Sequence, residues 1–124
     1  MADEVRDYLT SEIETLRSAV FRAGVLNAKT LGPCADAHLE NVLRYVAASP
    51  ELDEATHVAL ARTAVFARAL YAQAKIAEIE EARRHALAAI DAFAMAVDGA
   101  VANGMGLARW HSEGGYVATT TAAP

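Results

Sequence analysis

From Glu51 to Asp98 the chain contains neither glycine nor proline. No other feature limits the fold as strongly, because these are the two residues that interrupt helices most readily. The run is also rich in alanine, the best helix former, so an all-α fold is expected. As a single helix it would measure roughly 72 Å at 1.5 Å per residue. A compact domain of this size has a radius of gyration of only about 14 Å. A rod of that length must either break or find something to pack along it.

The apolar residues of this run fall into stripes. One comprises Leu52, Leu60, Thr63, Phe66, Leu70 and Ala74, and a second comprises Val58, Val65, Ala72, Ile76 and Ile79. A third set, Leu87, Ile90, Ala94, Val97 and Val101, continues in a drifted register. Two stripes on one helix imply two partners, as in the middle of a bundle or at a subunit interface. Around Ile79–Arg84 the sequence turns charged, and a bend is expected near residues 78–84.

Upstream, Leu9, Ile13, Leu16, Val20 and Ala23 mark one face of a first helix, expected over residues 3–29 and stopped by Gly32-Pro33. A short second helix follows with Leu39, Val42, Leu43 and Val46 as its buried stripe. Ser49-Pro50-Glu51 is the clearest start signal in the chain: a serine cap, proline at the first helical position and acids at the positive end of the helix dipole. The expectation is therefore a helical bundle of three principal helices, the third long and bent, with short connections favouring antiparallel packing.

Gly104-Met105-Gly106 reads as a hinge dividing a helical domain, residues 1–106, from a C-terminal arm, residues 107–124. The arm carries the only tryptophan, Trp110, and an extended-looking tail from Tyr116 and Val117 through Thr121. Trp110 suits either a lid on the local core or an anchor on a partner.

Hydrophobic residues make up 54% of the chain and charged residues 22%, which excludes a disordered polymer. The net charge of -5 argues against a general nucleic-acid binder. A single cysteine rules out a disulfide framework or a cysteine-cluster metal site. The acidic start, Met1-Ala2-Asp3-Glu4, lacks the pattern of a signal peptide, and the longest apolar stretch, Ala86–Ala102, is interrupted by Asp91 and Asp98. A cytoplasmic protein with no membrane partner is expected.

Two constellations have chemical potential. Cys34 and His38 stand four residues apart where a helix begins, a place that lowers a thiol pKa and sets an imidazole within reach of its proton. The plainer reading is a small residue beside a polar neighbour, with no orienting acid in view. Asp53 with His57, and Glu81 with His85, are acid–histidine pairs at helical spacing. An antiparallel crossing near Ala69 would bring all four together as a divalent-metal set, and otherwise each pair is an ordinary surface interaction. Arg68, Lys75 and Arg83 share one helical face, expected to be solvated.

These features point to a homo-oligomeric helical interaction or assembly protein without catalytic activity or cofactor. Its interface would comprise Val58, Val65, Ile76 and Ile79 on the long helix with Trp110, Tyr116 and Val117 on the arm. The alternatives are a helical-bundle metal-binding or thiol-dependent enzyme, and a small acidic regulator docking on a larger complex.

Overall fold

In the computed structural model, which describes residues 2–102, the helices are α1 (Ala2–Arg22), α2 (Ala28–Leu43), α3 (Pro50–Tyr71) and α4 (Ile76–Ala102). A 3₁₀ turn, Val25–Asn27, joins the first two, and there is no strand among the described residues. Each helix packs on its neighbours in the ring α1–α2–α3–α4, and α4 closes back onto α1. Short turns at 23–27, 44–49 and 72–75 reverse the chain between successive helices, and Arg83 near the start of α4 meets Val20 and Phe21 at the end of α1, so the neighbours are antiparallel. The fold is an up-and-down four-helix bundle.

Both long sequence runs are interrupted elsewhere than expected. The run from residue 51 to 98 is two helices, not one bent helix, and the break lies at residues 72–75 rather than 78–84. There the amide of Gln73 donates to the Leu70 carbonyl and the amide of Ala74 to the Ala69 carbonyl, a Schellman closure. Gln73 takes the left-handed conformation, φ 53°, that this closure demands and that glycine usually supplies. The strain of a non-glycine residue there is about 1–2 kcal/mol, small beside the burial gained when two helices fold onto each other.

The division of the 51–98 run gives four principal helices among the described residues instead of three, and the expected first helix, 3–29, stops at Arg22. Gly32-Pro33 does not end a helix: Pro33 lies inside α2. It deprives the Lys29 carbonyl of one intrahelical partner, but the ring is exposed, and Leu31, Ala35, Leu39 and Val42 bury a continuous stripe around it. The Ser49-Pro50-Glu51 start signal performs as expected. Ser49 is extended and its Oγ accepts from the Leu52 amide at 3.1 Å, with Pro50 as the first helical residue.

The core runs the length of the bundle. Val5, Leu9, Leu16 and Val20 come from α1, Leu39 and Val42 from α2, Leu52, Phe66 and Leu70 from α3, and Ile90, Phe93 and Val97 from α4. Leu43, Leu60 and Leu87, expected inside, are half-buried against it. On α4 the true stripe carries Phe93 in place of the expected Ala94. Small residues line the α3–α4 contact, with Ala59, Ala86 and Ala89 all buried, which lets these helices approach closely. The one buried polar side chain among the described residues is Thr63, whose Oγ1 finds no hydrogen-bond partner.

Candidate functional site

Between α1 and α2 lies a half-buried polar cluster. His38 Nδ1 is 2.8 Å from Glu12 Oε1, and Asn41 Nδ2 donates to the same oxygen at 3.3 Å. With Glu12 ionised, the imidazole carries its proton on Nδ1. The Tyr8 hydroxyl also bonds Glu12, and its ring meets Tyr45 edge to face at 5.7 Å. Burial, then the Glu12 carboxylate and Tyr45, push the Tyr8 hydroxyl above its ordinary 10.0, against an opposing pull from Arg44.

The Cys34–His38 spacing falls within α2. Both sit on α2, but the imidazole is engaged by Glu12 on the neighbouring helix. The half-buried thiol lines a separate cleft of about 250 Å³ with Ala19, Arg22, Asn27 and Leu31, between α1 and the start of α2.

Asp53 and His57 on α3 and Glu81 and His85 on α4, the residues of the conditional metal set, are all exposed. Among the described residues no three of His, Cys, Asp and Glu come close enough to hold a metal ion. The reason is the register of the α3–α4 hairpin. His85 shares a cleft with Arg62, not with Asp53, which lies nine positions away and so about 13 Å along α3. A hairpin turning at residues 72–75 cannot have its crossing at Ala69.

Arg83, expected on a solvated face, has a structural task. Its Nη1 lies 3.0, 2.9 and 3.0 Å from the carbonyl oxygens of Val20, Phe21 and Ala23 where α1 ends, the first of which also accepts from the Ala23 amide. Nε and Nη2 grip the two Glu80 oxygens, and the guanidinium carbon sits 4.8 Å over the Phe66 ring. Hydrogen bonding to Arg83 holds the Glu80 carboxyl below its ordinary 4.5. One side chain of α4 thus caps α1 and covers a core aromatic of α3.

What remains exposed and apolar divides into two surfaces. Along the outer face of the α3–α4 pair lie Val58 and Val65, the expected interface positions, with Met95 75% exposed. Val58, Arg62, His85, Ala88 and Ala92 line a cleft of about 290 Å³ on this face. The second surface is one end of the bundle, where both α1 and α3 stop. Leu26 is 97% exposed there, Ile76 79%, and Val25, with Phe21 at the end of α1 and Tyr71 at the end of α3, is exposed as well. Ile79, also an expected interface residue, is half-buried against the core. Trp110, Tyr116 and Val117 lie outside the described residues, as does the whole of the expected arm.

Sequence reasoning missed Glu12, Arg83 as a cap, and the apolar end. Glu12 sits between core positions on a mostly polar stretch, so nothing local distinguishes it. Phe21, Leu26 and Tyr71 belong to no periodic stripe because they stand at helix ends. No protein-family model, curated protein or solved structure matches the chain.

Proposed function

We propose that the protein is a non-catalytic helical assembly module that self-associates through the outer face of α3 and α4. The observation that carries this is the exposure of Val58 and Val65 on α3 and of Met95 on α4, beside a cleft where Val58, Arg62 and His85 meet Ala88, Ala89 and Ala92. Alanine permits close backbone approach, and the larger side chains supply the apolar area. A face of 22 residues' length and two helices' width offers roughly 600 Å², from 1.5 Å per residue and helix spacings of 8–10 Å. That approaches the roughly 800 Å² that each partner contributes to a standard interface. A twofold copy of the same face is the natural occupant, since most soluble oligomers are symmetric and homomeric. No helix among the described residues is long and apolar enough to cross a membrane.

Introducing charge on this face tests this reading. Val65→Glu and Met95→Glu should each shift the solution mass toward that of one chain, 13.1 kDa, while the helical circular dichroism signal is retained. Unchanged mass for both variants would remove the α3–α4 face from consideration.

A further inference from the structure

The charges of the bundle are sorted by end. At the end where α1 and α3 stop, the four basic residues Arg22, Lys29, Arg68 and Lys75 stand against Glu78, Glu80 and Glu81, of which Glu80 is paired with Arg83. Both lysines of the chain are among them. None of the four basic side chains is ion-paired among the described residues. The opposite end carries Glu4, Asp7, Glu51, Asp53, Glu54 and Asp98 against Arg6 and Arg44. An acidic protein has therefore gathered free positive charge around its most exposed apolar side chains. Those side chains border a cleft of about 500 Å³, lined by Val25, Leu26, Lys29, Tyr71 and Gln73, with the Lys29 ammonium 5.8 Å from the centre of the Tyr71 ring.

We infer that this end docks an acidic amphipathic helix of another protein. The apolar face of the helix covers Leu26 and Tyr71, and its carboxylates meet Lys29, Lys75 and Arg22. Helix-in-groove recognition needs an apolar trough and a charged rim of opposite sign, and both are present here. The chain itself does not supply such a ligand. Its acidic end has no large exposed apolar side chain at Val5, Val46, Leu52 or Val101, all of which are buried. Residues 103–124 hold apolar side chains but only Glu113 as an acid, balanced by Arg109. A lipid surface fits less well than a helix, because the apolar residues border a concave cleft and the net charge of -5 opposes approach to an anionic bilayer. The proposal is independent of the α3–α4 face.

The test uses the full chain and a labelled synthetic amphipathic helix with leucine at i, i+3, i+4 and i+7 and glutamate elsewhere. Two controls accompany it: the same peptide with lysine for glutamate, and vesicles of anionic phospholipid. Fluorescence anisotropy should show binding of the acidic peptide that weakens with added salt and is absent for the basic one. Leu26→Asp and Lys29→Glu, both at exposed positions, should each weaken it about tenfold or more, and Val65→Glu should leave it unchanged. No binding of the acidic peptide, or equal binding of both peptides, overturns the proposal. So does stronger binding to the vesicles, or a fall in solution mass with Leu26→Asp, which would make a second copy the occupant.

Discussion

The two ends of the bundle solve the same problem by different means. Every helix terminus leaves backbone groups without intrahelical partners. At the acidic end the start of α3 is completed locally, by a serine, a proline and nearby acids within a few residues of sequence. At the basic end, which holds the connections 23–27 and 72–75, completion is remote or unconventional. Arg83 reaches from α4 to close α1, and a glutamine takes a glycine's conformation to close α3. Local completion is written in short motifs. Remote completion depends on the register between helices, and only the assembled fold reveals it.

If that contrast is right, the largest effect should follow from removing the remote cap. Arg83→Met should cost about 2–4 kcal/mol in chemical denaturation, because three carbonyls, Glu80 and the Phe66 ring each lose a partner. Arg83→Lys should recover only part of it, since an ammonium cannot hold the fork geometry. Amide exchange should rise first in the last turn of α1. Loss of the local cap should be milder. Ser49→Ala should cost about 1 kcal/mol in the same experiment, with faster exchange at the Leu52 amide. Smaller still, and opposite in sign, is Gln73→Gly. Relief of the left-handed strain should exceed the added unfolded-state entropy and stabilise the fold by about 0.5–1 kcal/mol.

Each end also has its own pH limit. At the basic end the Glu80 carboxyl is held below its unfolded value by Arg83. Its contribution is present above about pH 4.5 and is lost as the pH falls through the lower folded value. Toward the acidic end the Tyr8 hydroxyl is held above 10.0, so its contribution is complete below that pH and is lost as the pH rises through the folded value. Thermal melts of Glu80→Gln should lose part of the acid-side decline of the parent, and those of Tyr8→Phe part of the alkaline-side decline. Matching pH profiles for parent and variants would dissolve the distinction between the ends.

Much of the bundle was legible in sequence, for identifiable reasons. Leu9, Ile13, Leu16 and Val20 repeat at helical spacing and are buried, as are Phe66, Leu70 and Ile90. The Ser49-Pro50 start was readable because every contact it needs is local. The break at residues 72–75 was not, because Ala72-Gln73-Ala74-Lys75 contains no residue that ends a helix on its own account. The turn exists because folding back buries the Leu52–Phe66–Leu70 stripe of α3 against the Ile90–Val97–Val101 stripe of α4, while Val58 and Val65 stay outside. Gly32-Pro33 misled for the converse reason: a strong local stop was overridden by Leu31 and Ala35 packing into the core. The conditional metal set needed a crossing at Ala69, and the hairpin instead turns at residues 72–75, which sets His85 beside Arg62. Of the expected interface, Val58, Val65 and Ile76 are exposed, whereas Ile79 is half-buried by packing that the stripe alone did not specify.

The central claim, self-association through the α3–α4 face, is tested most directly by multi-angle light scattering of the intact chain at micromolar concentration, beside Val65→Glu. The account predicts a mass of at least two chains for the parent and a shift toward 13.1 kDa for the variant. A parent that elutes as a single chain of 13.1 kDa at every concentration would contradict it.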